Sequence, residues 1–309
     1  MADVSASDAT LAAPAAAAPA RPRSARAQLA ADLVTLTKPK VQSLLLLTTV
    51  TTMLVAGSPS IWLILATCIG GYLSAGGAGA VNHWYDRDID ARMARTATRP
   101  VPSGRIAPAT ALWFGIGLGV SSVLWLGLTT NWLAAALSFS GFLGYTLLYT
   151  VWLKRRTWQN IVWGGAAGAV PPLVGWAAVT GSLSGLSLYL FAIVFFWTPP
   201  HFWALSLLMK DEYAKVGVPM LPVARGEQET RRQIVLYSVL LYAVTQLPFC
   251  AEGLGLIYLV ASLTLGVVFI GLAVALARNP GRRAALRLYL FSLLYLALLF
   301  VSMVADVKL

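Results

Sequence analysis

Three residues with oxygen-bearing side chains recur at a spacing of four: Asn82, Asp86 and Asp90, in Asn82-His-Trp-Tyr-Asp86-Arg-Asp-Ile-Asp90. On a continuous helix each step of four turns only about 40°. All three then share one face, and Asp88 points away from it. A row of hard oxygen donors suits Mg²⁺, which keeps several waters and completes its shell with carboxylates and substrate phosphate. The alternative is a solvated helix end whose carboxylates pair with Arg87 and Arg92. The basic residues that follow, Arg92, Arg95, Arg99 and Arg105, could hold a polyanion. A second charged group reads Lys210-Asp211-Glu212-Tyr-Ala-Lys215, where Asp211 and Lys215 can share a helix face. Pro and Gly between Gly217 and Gly226 end that helix and shape a lid. Arg225, inside it, either reaches an anionic group or anchors the chain at a membrane surface.

The elements that must position these residues follow from composition. Of 309 residues, 58 % are apolar and 11 % charged, against roughly 25 % charged in a soluble domain. Mean hydropathy is +0.72. A soluble domain, a disordered chain and a secreted disulfide scaffold are excluded. At about 20 residues per spanning helix the apolar content suffices for roughly nine spans. Nine runs are present, at 41–57, 60–81, 110–128, 131–152, 160–179, 186–208, 233–250, 254–277 and 288–306. Their period is helical, which rules out an outer-membrane barrel. The fold class is therefore an all-α membrane protein with nine transmembrane helices. Residues 1–33 read as a disordered basic cytoplasmic tail and 34–309 as the membrane domain. Cys68 and Cys250 read as small buried core residues.

The net charge of +11 does not point to nucleic acid, because of where it lies. Of 23 Lys and Arg, 22 fall in the tail up to Lys40 and in 82–109, 153–159, 209–232 and 278–287. The alternate connections, at 58–59, 129–130, 180–185 and 251–253, hold none, and Lys308 alone is out of line. The positive-inside rule then puts the N-terminus and both long motif loops in the cytoplasm. Pro171-Pro172 and Pro199-Pro200 fall inside spans and predict kinks around a widened central cavity. His201 follows the second pair, roughly 10 Å below the inner end of its span. An ionisable group at that depth is a functional candidate, and a satisfied core histidine is its alternative.

Asn82-x-x-x-Asp86-x-x-x-Asp90 resembles the first aspartate-rich motif of the intramembrane aromatic prenyltransferases. The surrounding blocks look like the protohaem IX farnesyltransferase branch, the haem O synthases. These blocks are Leu36-Thr-Lys-Pro-Lys40, Asp88 to Arg105, Leu153 to Ile161, Gly164 to Gly175, Trp197 to Leu205 and Lys210 to Pro222, in order over about 34–305. The resemblance implies a nine-helix bundle around a lipid-accessible cavity, in the bacterial inner membrane, with its active site on the cytoplasmic side. It implies transfer of a farnesyl group from farnesyl diphosphate to a vinyl group of haem B. On this reading Asn82, Asp86, Asp90 and Asp211 bind Mg²⁺. Arg99, Lys154 and Lys215 contact diphosphate, with Arg225 as a further candidate. Arg92 or Arg95 meets the haem propionates, and His201 can ligate iron or hydrogen-bond in the cavity. Haem A synthase or terminal oxidase assembly are the implied partners, besides membrane lipid. The superfamily usually places a second Asp where Lys215 stands, and that departure fits the haem branch. A sister prenyltransferase acting on an aromatic or quinone precursor, and a haem transporter or assembly factor, are the other readings.

The charge split makes a prediction about sidedness. Single cysteines at Ser103 and Gly226, in a background without Cys68 and Cys250, should react with an impermeant thiol reagent only from the cytoplasmic side. Labelling from the opposite face would refute the orientation.

Overall fold

The computed structural model describes residues 24–309, which are helical with no strand among the described residues. Among the described residues, nine helical stretches are long and apolar enough to cross a membrane. The first three are α2 (Pro39–Ala56), α3 (Ile61–Tyr85) and α5 (Pro108–Thr129), with a short α4 (Arg87–Asp90) after α3. The fourth joins α6 (Trp132–Leu143) to a π-helical segment, Gly144–Leu153. The fifth joins α7 (Asn160–Gly168) to α8 (Val170–Thr180). Then come α9 (Gly185–Leu208), two short helices α10 (Lys210–Lys215) and α11 (Leu221–Ala224), α12 (Gly226–Glu252), α13 (Leu256–Arg278) and α14 (Arg282–Lys308).

Most span ends agree with the apolar runs to within a few residues. The exceptions are α12 and α14, which start seven and six residues before 233 and 288. Their first turns are charged, Glu227 to Arg232 and Arg282 to Arg287, so they are helical without being apolar. The two proline pairs sit differently in their spans. Pro171 and Pro172 stand in the first turn of α8, where a missing N–H costs nothing, and the helix restarts there after Ala169. Pro199 and Pro200 lie within an α9 that runs unbroken to Leu208.

Two further expectations are corrected. Residues 25–33 belong to α1 (Ala25–Leu36), so the tail read as 1–33 is helical from Ala25; its remainder, 1–23, lies outside the described residues. Ser24 caps α1, and Asp32 binds Arg105 Nε at 3.1 Å, which fastens the helix to the first motif loop. Neither cysteine is buried. Cys68 is half-buried, Cys250 is exposed and both are free, because they sit on outward faces of their spans.

Packing closes the spans into a ring, with α2 meeting both α8 and α14. Lys308, the one basic residue out of line, donates to Gly57 O at 2.8 Å. It therefore lies at the end of the bundle that carries the uncharged connections. The tightest pair is α3 with α5. Ser122 Oγ donates to Gly70 O at 2.7 Å and Trp125 Nε1 to Ala66 O at 2.9 Å. Small residues let the backbones approach, as in other membrane helix pairs. A Cβ on Gly77 would lie 2.6 Å from Gly115 O.

Two consequences can be measured. Gly77→Val should lower stability by about 1–3 kcal/mol, since a backbone carbonyl cannot move aside cheaply. Gly117→Ala, with nothing within 4 Å of the added carbon, should leave the unfolding midpoint in detergent unchanged or raised. Gly226 has φ +82°, so the cysteine reporter of that loop belongs at exposed Ala224.

Candidate active site

The row of oxygen donors survives a small break in its helix. α3 ends at Tyr85, Asp86 is its cap with φ −86° and ψ 5°, and α4 follows. The backbone bonds Asp86 N to Asn82 O (2.9 Å) and Asp90 N to Asp86 O (2.8 Å) keep the four-residue spacing. All three side chains are buried, Asp86 with 1 % of its surface exposed.

Each carboxylate is met by cations from other elements, not by Arg87 or Arg92. Lys154 donates to Asp86 Oδ2, and Arg99 donates to Asp90 Oδ2 at 2.7 Å. Asn82 links the group: Nδ2 donates to Asp86 Oδ2 at 2.6 Å and to Thr150 Oγ1 at 3.2 Å, while Oδ1 accepts from Lys38 Nζ at 2.6 Å. Arg155 grips exposed Asp88 with both terminal nitrogens, at 2.7 and 2.8 Å, and lies over the Tyr85 ring. That bidentate bond holds the Asp88 carboxyl below its usual range. Asp88 thus faces away from the row, as its spacing required.

The π-helical segment brings the rest of this wall into place. Thr150 reaches Asn82 from it, Tyr145 OH accepts from Lys38 Nζ at 3.4 Å, and Lys154 caps it by an N–H bond to Tyr149 O. The segment runs for ten residues, and π-helical turns, rare in general, are frequent at functional sites. Lys38 sits between α1 and α2 in a left-handed conformation, φ 54°. Burial first, and then the charge of Arg99, lower its pKa to about 8.

The second motif is placed differently. Glu212, on α10, accepts from Ala94 N at 2.9 Å and so ties the two long loops together. Lys215 binds Glu212 at 3.2 Å and is largely exposed. Asp211 is exposed, and no hydrogen bond or ion pair links it or Lys215 to Asp86 or Asp90. Arg225 stacks on Trp158 at 5.3 Å. The side chains of Arg92 and Arg95 are exposed and carry no hydrogen bond or ion pair among the described residues.

His201 lies deeper, with Trp197 on one ring face (4.3 Å) and Tyr289 on the other (4.9 Å). Its Nδ1 is 2.6 Å from Ser292 Oγ, whose hydroxyl already donates to Tyr289 O at 2.6 Å. With that single proton used, Nδ1–H donates to serine and Nε2 keeps its lone pair.

Sequence reasoning missed Lys38, Arg155, Glu212 and the tyrosines. Lys38 and Arg155 stood in blocks that carry the family resemblance and were counted for sidedness, but neither had a role of its own. A non-glycine residue at positive φ before proline leaves no mark in composition. No group of three or more His, Cys, Asp or Glu is arranged to hold a metal among the described residues. An ion here would take Asp86, Asp90 and Asn82 as a partial shell and need the remainder from water and a polyanionic ligand, which is how Mg²⁺ is commonly held. The donor set fits. Four cations (Lys38, Arg99, Lys154, Arg155) face three carboxylates, a surplus of one positive charge suited to an anion.

Known proteins resemble this chain over most of its length. The model of the UbiA prenyltransferase family matches residues 45–301. A protohaem IX farnesyltransferase of Chloroflexus aurantiacus is 55 % identical over 89 % of this chain and 47 % of its own length. The chain spans about half the length of the first curated relatives it matches. That of Symbiobacterium thermophilum is 51 % identical over 94 % of this chain and 98 % of its own length. A solved structure described for digeranylgeranylglyceryl phosphate synthase superposes with TM-score 0.75 at 18 % identity, over 91 % of this chain and 99 % of its own. A UbiA homologue from Archaeoglobus fulgidus bound to DMAPP and Mg²⁺ gives 0.67 at 14 %, over 88 % and 99 %. At such identities these two show the shared fold.

The loop tie is testable alone. The Lys215 hydrogen bond, then that from Ala94 N, lower the Glu212 pKa. The tie is complete above the ordinary glutamate range and is lost only as pH falls through the lowered value. Amide protection at Ala94 should hold from pH 7 to about 5 and fall in Glu212→Ala, read by hydrogen exchange.

Proposed function

The chain belongs to the UbiA prenyltransferase family of multi-pass membrane enzymes, and from that premise we propose that it farnesylates haem B to haem O. The observation that carries this reading is the buried row Asn82, Asp86 and Asp90, each carboxylate held by a cation from a different element. Relatives named for this reaction, matched over nearly the whole of this chain, supply the substrates.

Farnesyl diphosphate is an allylic diphosphate, so heterolysis of its C–O bond gives a delocalised cation and a highly charged leaving group. Asn82, Asp86 and Asp90 would hold Mg²⁺, with Asp211 closing on it from the second loop. The ion, when bound, neutralises diphosphate oxygens and favours their departure. Arg99 and Lys154 pass from the carboxylates to the diphosphate, and Lys38 adds a third positive group. Lys215 and Arg225 approach from the lid. These preset charges stabilise the charge that develops on the leaving group. The farnesyl chain lies in the apolar bundle, where water is kept from the cation. The haem vinyl group captures it, water adds to the resulting porphyrin-stabilised cation, and loss of one proton to solvent leaves the hydroxyethylfarnesyl group. Exposed Arg92 and Arg95 face the propionates, and His201 offers Nε2 to iron. The basic end of the bundle faces the cytoplasm, across the inner membrane of a bacterium.

The decisive experiment is mass analysis of products after incubation with haem B, farnesyl diphosphate and Mg²⁺. Haem O is expected; prenylated 4-hydroxybenzoate without haem O would favour a sister enzyme instead. Asp86→Asn and Asp90→Asn should each lose at least about 100-fold in rate, on the order of 2.7 kcal/mol, while Asp88→Asn is milder. Equal tolerance of all three would sink the metal assignment. Haem B should shift the Soret band, and His201→Ala should diminish that shift without touching Mg²⁺-dependent diphosphate binding.

A further inference from the structure

A groove of about 630 Å³ opens on the outside of the charged end of α12, lined by Arg231, Arg232, Val235, Leu236 and Val239 and, across it, Ala277 of α13. It shares no residue with the site above. The α12 residues recur at three and four, so they form one stripe. From Arg232 to Val239 the stripe descends about 10 Å, from the charged first turns of α12 into its apolar part. Leu236 and Val239 are 50 % and 45 % exposed, although they lie within a membrane span. The small side chain of Ala277 leaves the space between the two helices open.

The charge at the rim is unbalanced. Arg231 and Arg232 have only single, long contacts to Glu227 (3.3 Å) and Glu229 (3.5 Å). Arg278 follows Ala277 directly, and Arg282 and Arg283 begin the next helix; none of these three has an acidic partner among the described residues. A cationic rim directly above an apolar wall matches a molecule with an anionic head and a hydrocarbon tail. A free phosphate ion would use the rim and leave the wall exposed. A zwitterionic lipid would bring its own cation to a rim already in positive excess.

We propose that this groove is a binding site for an anionic phospholipid, its phosphate between Arg231, Arg232 and Arg278 and an acyl chain along Val235, Leu236 and Val239. The test is native mass spectrometry of the full chain in detergent, with phosphatidylglycerol, phosphatidylcholine or inorganic phosphate added. Phosphatidylglycerol should be retained in preference to phosphatidylcholine. The double variant Arg231→Gln, Arg232→Gln should weaken its retention by at least about fivefold, and the Lys, Lys double variant should keep most of it. Val239→Trp, which fills the apolar wall and leaves the charges in place, should also release the lipid. Equal retention of both lipids, an unchanged complex in the Gln, Gln variant, or full displacement by inorganic phosphate would overturn the site.

Discussion

Asp86 and Asp90 are ionisable groups buried at the mouth of an apolar bundle, and a carboxylate there is tolerated only when cations meet it. The partners come from far apart in the chain. Lys38 precedes α2, Arg99 lies in the loop before α5, and Lys154 and Arg155 close the fourth span. Each pair therefore also fixes the end of a different helix. Removing one partner of a buried pair typically costs about 3–5 kcal/mol, because the other charge is left uncompensated. The same wiring that makes the site anion-ready also holds the charged ends of these helices together.

The loops around this core are held more lightly. Glu212 joins the second loop to the first through one backbone N–H, and its other oxygen is shared with exposed Lys215. Ties of this strength suit a cover that opens, as the proposed reaction of two large substrates requires. The deeper residue, His201, is fixed instead on three sides, by Trp197, Tyr289 and Ser292. Firm depth and a lightly tied rim match the order in which a bound substrate would meet them.

Much of this was legible before any coordinates. The nine spans could be read because apolar content is a local property, and the Asn82–Asp90 row because four residues on a helix return to one face. The charged starts of α12 and α14 were hidden, since residues such as Arg231 and Arg287 are helical there without being apolar. Lys38 and Arg155 were hidden for another reason. Their roles depend on partners 44 and 67 positions away, and nothing in a neighbouring residue announces such a contact. Lys215 stood at the right spacing from Asp211, yet the geometry gives its bond to Glu212, because an i, i+3 neighbour on α10 is closer than the first motif.

The π-helical segment from Gly144 to Leu153 also sets this span apart from the other eight. Each N–H in it bonds five residues back instead of four, so a turn takes in about one residue more than an α-turn. A wheel drawn at α-helical pitch drifts over these ten residues, and it misplaces Thr150, Lys154 and Arg155 relative to the face that meets Asn82, Asp86 and Asp88. Periodicity, the signal that reveals the other spans, misleads in the one that brings the cations to the site.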